Sequence, residues 1–326
     1  MRGVAACAVV LFHAKTVLGI QIAAHGYLAV DLFFALSGFV SAKSYDAKFA
    51  GGMAPASFAI KRAMRFYPLY LLGLAIGLVK ELALIAAHTD HAFSLPALGA
   101  AFAAGAFYIP FPYRDSNKFP LNIPSWSLLF ELLVNVAYCA TFVVWARKRN
   151  LVLLLALSGL LLAYAIVVAG TADQGAHINE FGAATLRTIF SFGIGVWIAR
   201  FPIAAPRVPS PILLAMVGGL LLVPAIGLWF DLLFIMVISP LLLILGVHAI
   251  GNGVPNRVYA YLGAISFPIY AIHRPLLAIM ESAAQILHAS PALLGVACIT
   301  GLLIICPLIE TFYDIPIRRY LARGSR

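Results

Sequence analysis

Apolar residues gather in long runs along this chain, at roughly 3–20, 27–43, 65–87, 96–110, 124–146, 151–170, 182–200, 210–229, 231–249, 258–287 and 292–314. A helix that crosses a bilayer needs about 20 such residues, within a range of about 17–25. Ten of the runs meet that length. The run at 96–110 is too short, and Pro110 and Pro112 close it. The pattern predicts an all-α polytopic membrane protein of ten transmembrane helices, with 96–110 re-entering the membrane or lying on its surface. In the first 18 residues one basic residue precedes an apolar stretch that His13 interrupts. They are expected to be a retained first helix and not a cleaved leader.

Charge gives the runs a direction. Lys43, Lys48, Lys61, Arg62 and Arg65 lie between or at the ends of the second and third runs, Arg147, Lys148 and Arg149 after the fifth, Arg200 and Arg207 after the seventh, and Arg318, Arg319, Arg323 and Arg326 in the tail. The segments at 88–91 and 171–180 carry His, Asp and Glu instead. If 96–110 crossed the membrane, Arg147–Arg149 would fall on the opposite side from the other basic loops. If it does not cross, every basic loop lies on one side, which the positive-inside rule makes cytoplasmic. Both termini are then cytoplasmic, in a cell (inner) membrane. The chain, 1–326, is expected to be one membrane-embedded domain with no soluble domain and no internal repeat.

Composition supports the membrane and narrows the partners. Hydrophobic residues make up 63% of the 326 and charged residues 10%, with a mean hydropathy of +0.99, against about 45–50% and about 25% in soluble domains. The net charge of +10 comes from residues between apolar blocks. It therefore implies anionic lipid rather than nucleic acid. Cys7, Cys139, Cys298 and Cys306 lie in apolar runs without CxxC spacing. They read as packing residues, and no metal site is expected.

Ionisable residues inside a span cost at least about 2.5–3.5 kcal/mol on insertion scales, so they point to function. A single polar residue often does no more than tie two helices together. Here they form stripes. Arg2 and His13 are 11 residues apart, near three helical turns, and share a face about 16 Å apart along the axis. Asp31 sits in an aromatic-rich span above Ser37 and needs a cationic or His partner, or a proton. Arg62 and Arg65 share a face, suited either to anchoring the span or to holding phosphates as a fork, and Pro68 is expected to bend the chain after them. Ser127, Glu131 and Asn135 are spaced i, i+4, i+8, with Tyr138 extending the stripe and Trp126 at its edge. Ser266, Tyr270 and His273 are spaced i, i+4, i+7, followed by Arg274 and Pro275. Arg187 is a weaker candidate. These faces predict a polar cavity inside the bundle.

Five stretches resemble, in order, the acyltransferase-3 family of membrane acyltransferases, which includes O-antigen, exopolysaccharide and Nod-factor O-acetylases. They are RGVAACAVVLFHA (2–14), GYLAVDLFFALSGFV (26–40), RAMRFYPLY (62–70), PSWSLLFELLVN (124–135) and, more loosely, SFPIYAIHRP (266–275). The resemblance implies transfer of an acyl group, usually acetyl, from cytoplasmic acyl-CoA to a hydroxyl, often of a glycan or lipid-linked saccharide. Acyl-CoA is then a co-substrate, with no bound cofactor. The family's essential Arg and His of helix 1 match Arg2 and His13. Its Arg pair, which is thought to engage CoA, matches Arg62 and Arg65, and its Trp and Glu match Trp126 and Glu131.

On that basis His13 is the expected general base, with Glu131 or Asp31 orienting it, and His273 holds the oxyanion or relays the proton. Arg2, Asp31, Ser37, Arg62, Arg65, Trp126, Ser127, Asn135, Tyr270 and Arg274 are expected to line the path of the substrates. Direct transfer and an acyl-His relay both remain open. The alternative is a multi-pass secondary transporter or exporter of a small molecule, which also carries intramembrane His, Asp and Glu. Against it stands the lack of the paired, repeated broken helices common in transporters.

Overall fold

The structure is a computed structural model, and it describes residues 1–90, 92–113, 116–251 and 255–324. Its regular elements are helical. The principal ones are α1 (Arg2–His13), α2 (Ala29–Ala50), α3 (Pro55–Ala86), α4 (Leu95–Ala106), α5 (Ser125–Ala140), α6 (Lys148–Ala169), α7 (Phe181–Arg200), α8 (Ser210–Leu222), α9 (Leu228–Val247), α10 (Asn256–Leu287), α11 (Pro291–Ile309) and α12 (Ile315–Gly324). Among the described residues seven helical segments are long and apolar enough to cross a membrane. They contain α2, α3, α6, α7, α9, α10 and α11 with its continuation to Arg323. Many exposed large side chains on these helices are apolar, as at Leu153, Leu157, Leu160 and Val168 of α6, while charged groups such as Asp31, Glu81, Arg187 and Asp231 are buried. That inverts the usual arrangement in water. The chain is a multi-pass membrane protein.

The other three predicted spans form shorter helices of 12, 16 and 13 residues: α1, α5 and α8. Each has a local cause. After α1 the backbone turns on through Lys15–Leu18, and Gly19, at φ 71°, ends that turn, so no helix runs the length of a span here. At the end of α5, Thr141 bonds its hydroxyl back to Ala137 O at 2.7 Å, and a separate turn, Phe142–Ala146, follows. Pro224 stops α8 at Leu222 by holding Val223 extended. Within 96–110 the chain forms α4, 12 residues or about 18 Å long. α3 also departs from expectation. It starts at Pro55, ten residues earlier than the apolar run, and continues through Pro68, so Arg62 and Arg65 belong to the body of a helix.

The site is built by close helix contacts. α2 packs most extensively on α7. A Cβ on Gly38 would stand 2.0 Å from Phe192 O, and one on Gly195 would stand 1.9 Å from Ala35 O, so only glycine lets these backbones meet. α10 packs on α1 and α3, with Gly73 against Ala271 O. Beyond the His13 end of α1, segments 111–124 and 170–180 clasp one another. Lys118 N–H donates to Ala176 O at 2.9 Å, and Ile178 N–H donates to Ser116 O at 2.8 Å. The fully buried Lys118 donates its ammonium to Gly175 O at 2.8 Å and to His177 O, between the rings of Phe130 and Phe181.

Candidate active site

His13 is the last residue of α1, and the fully buried His273 faces it from α10. His273 Nδ1 lies 3.1 Å from Ile269 O and 2.9 Å from Tyr270 O. Carbonyls only accept, so Nδ1 carries the proton and Nε2 is an acceptor. That Nε2 lies 3.1 Å from His13 Nδ1, which also lies 3.0 Å from Val9 O. His13 Nδ1 is therefore the donor, and His13 Nε2 holds a free lone pair. Pro275 contributes by lacking an N–H. The carbonyl of Ala271, four residues back, instead accepts Asn122 Nδ2 at 2.9 Å, which ties α10 to the 111–124 segment.

Two neighbouring cavities lie close to this pair. One, about 430 Å³ counted out to its mouth, is lined by His13, Phe12, Tyr27, Trp126, Asp173 and Arg187. The other, about 520 Å³ counted likewise, is lined by Arg2, Arg65, Glu131, Ser127, Phe33 and Phe267. Val30 and Tyr270 line both. The hydroxyls of Tyr270 and Ser127 are 2.5 Å apart. Glu131 is buried with Oε1 lacking any hydrogen-bond partner, inside electrostatic reach of Arg2 and Arg62.

The predicted stripes reach this region but split among its neighbours. Ser127 meets Tyr270, and Glu131 faces the Arg2 cavity. Asn135 turns to α2, where it accepts from Ser41 at 2.8 Å and donates to Ser37 at 3.4 Å. Arg62 and Arg65 also part. Arg62 is buried against the rings of Tyr45 and Phe58 and donates to Ser41, whereas Arg65 lines the cavity. Arg274 lies 3.4 Å from Glu281 in a half-exposed pair and lines neither cavity.

Asp31 does not touch His13. Its oxygens accept Arg187 Nη2 at 2.5 Å, Arg187 Nε at 3.3 Å and Ser191 Oγ at 3.3 Å. Arg187 also donates to Gln174 O at 2.5 Å and stands 5.7 Å from the Trp126 ring. Asp31, one of the two carboxylates expected to orient His13, is thus committed to Arg187; Glu131, the other, lines the Arg2 cavity, and the histidine's hydrogen-bonded side-chain partner is another histidine. Sequence reasoning missed a buried cluster near the same cavity. Asp231 accepts Tyr27 O–H at 2.6 Å, lies 3.2 Å from His25 Nδ1, and accepts Ala172 N–H at 3.2 Å. Its only signal was three polar residues in or beside apolar runs.

An imidazole lone pair in one cavity, beside a second cavity lined by two arginines, can take a proton from a reacting hydroxyl. Residues 1–311 match the profile described as the Acyltransferase domain. The chain belongs to the acyltransferase-3 family, and it is an acyltransferase, which removes the transporter alternative. It is 28% identical over 318 residues to the exopolysaccharide production protein ExoZ of Rhizobium meliloti (strain 1021), covering 90% of each chain. It is also 38% identical over 175 residues to protein 2 in the picA locus of Rhizobium radiobacter, covering 51% of this chain and 91% of that one. No solved structure matches the chain significantly.

Proposed function

We propose that the protein moves an acyl group, acetyl, from cytoplasmic acyl-CoA to a hydroxyl of a glycan presented on the other side of the membrane. The observation that carries this reading is a pair of neighbouring cavities that share Val30 and Tyr270 in their walls, one lined by Arg2 and Arg65, the other by His13. Acyl-CoA enters past Arg65 and Arg2, whose guanidinium groups suit its phosphates. The name of the rhizobial relative, an exopolysaccharide production protein, supports a glycan acceptor. Both termini and the basic loops are cytoplasmic in this reading, and the membrane is the cell (inner) membrane.

The reaction uses the free lone pair of His13. Its Nε2 takes the acceptor's hydroxyl proton while the oxygen attacks the thioester carbonyl. The C–S bond of the tetrahedral intermediate then breaks, the ester remains on the acceptor, and the CoA thiolate recovers the proton from His13. His273 Nε2, accepting from His13 Nδ1, holds the ring and supports its transient positive charge, a task that a carboxylate performs in a triad. Glu131 balances Arg2 and Arg62.

The test uses the purified chain with radiolabelled acetyl-CoA and surface glycan from the cells that make the protein. Label should appear on the glycan as an alkali-labile ester and vanish with His13→Ala. Transfer that persists in His13→Ala, or that occurs to no hydroxyl at all, rejects the reading.

A further inference from the structure

The His13 cavity has a lining whose chemistry selects its occupant. The charged side chains among its described lining residues are Asp173 and Arg187, besides the titratable His13. Arg187 is saturated by Asp31, Gln174 O and Tyr27 O, at 2.5, 2.5 and 3.4 Å. It has little left to offer an anionic ligand. Asp173 is different. Its backbone N–H bonds Thr171 Oγ1 at 3.0 Å, while its carboxylate stands at the mouth and makes none of the hydrogen bonds or ion pairs identified among the described residues. Solvent reaches Asp173, but the protein crowded around the mouth pushes its carboxyl pKa up, so it gains from a hydroxyl donor.

Trp126 forms the apolar wall. Gly175, at φ 130°, lies so close that a Cβ there would stand 2.5 Å from the indole ring. The ring is thereby fixed, and a fixed aromatic wall is a surface for the C–H face of a sugar.

We propose that this cavity is the acceptor subsite and takes an uncharged sugar residue of a glycan, with Trp126 against the ring, Asp173 accepting a non-reacting hydroxyl, and the reacting hydroxyl at His13 Nε2. The inference rests on the acyl-transfer reading above and adds the acceptor's class and the residues that choose it. The carboxylate at the mouth, within electrostatic reach of Lys15, and the arginine neutralised within leave no uncompensated cation for a phosphorylated or uronic acceptor. The same two groups admit a neutral ring.

The experiment measures transfer from radiolabelled acetyl-CoA by the full chain in lipid nanodiscs, with extracted surface glycan as acceptor. Asp173→Asn should raise the KM for glycan about ten-fold and leave the KM for acetyl-CoA within about two-fold. Ala176→Trp, which fills the cavity from its lining, should abolish glycan transfer while acetyl-CoA binding persists. An unchanged glycan KM in Asp173→Asn overturns the subsite, as does an equal rise in both KM values. Label that the wild type places on a uronic or phosphorylated residue overturns the uncharged class. If the wild type labels no glycan, the acyl-transfer reading fails and the sugar subsite falls with it, a result visible without any variant.

Discussion

His273 Nε2 accepts the Nδ1 proton of His13 at 3.1 Å, with the two rings 5.0 Å apart and tilted by 49°. The proton of His273 is itself held by the carbonyls of Ile269 and Tyr270. The chain of donors runs one way and ends on a free lone pair at His13. In the proposed reaction His273 is therefore a positioning residue. His13→Ala should lower kcat by about 10²–10⁴. His273→Ala should lower kcat substantially with both KM values nearly unchanged, and His273→Gln should restore part of it, because its amide oxygen accepts the same proton. The double variant should be little worse than His13→Ala alone, since the two act as a unit. Steady-state kinetics of the four proteins check this, and a large rise in either KM for His273→Ala would assign His273 to binding.

The separation of Arg62 from Arg65 predicts different phenotypes for two arginines one turn apart. Arg65→Ala should raise the KM for acyl-CoA without much loss of stability. Arg62→Ala removes a donor to Ser41 and uncovers Tyr45 and Phe58. It should cost about 1–3 kcal/mol of stability, the range for orphaning a buried partner, while the KM of the folded fraction changes little. Melting curves and kinetics on the same preparations distinguish the two. Equal KM effects would restore the phosphate fork.

Asp31 and Arg187 form a pair with side chains 0% and 1% exposed. Removing one partner strands the other. Arg187→Met or Asp31→Leu should each cost about 3–5 kcal/mol, and the Asp31→Leu/Arg187→Met double variant should be less destabilised than the sum of the singles. Thermal unfolding in detergent measures both. Because Arg187 also holds Gln174 O at 2.5 Å, the 170–180 segment should become more accessible to protease in the singles.

These pairings show where the sequence was informative. The membrane class and the order of the helices were legible because a bilayer imposes a length on every span and excludes charge from its faces. The stripe of Ser127, Glu131 and Asn135 was legible because helical periodicity puts i, i+4 and i+8 on one face. What that face meets was not legible. It touches α10, a cavity and α2 at successive turns, and spacing within one helix carries no information about its neighbours. Asp31 needed a cation, but Arg187 lies 156 residues away and reaches it only through the glycine contacts of α2 and α7. Helix ends were hidden where apolar residues continue past them, as after His13 and after Thr141. The His13–His273 pair spans 260 residues and follows from packing alone.

The clasp beyond His13 supplies a pH test. Lys118 is 0% exposed, and burial pushes its pKa down from 10.5 to about 8, with Glu180 opposing the shift. Between pH 8 and 10.5 the unfolded chain therefore binds more proton than the folded one, so stability rises with pH across that window and is flat below it. At about 1.4 kcal/mol per unit, the gain is at most about 3 kcal/mol. Lys118→Met abolishes the slope and leaves Gly175 O and His177 O without their ammonium donor. It should melt below wild type at every pH, with the gap widening from pH 8 to pH 10. Melting temperatures of both proteins at pH 7, 8, 9 and 10 check the prediction. A wild-type curve that falls across the window relative to Lys118→Met would mean that the folded clasp favours the charged ammonium over its burial cost.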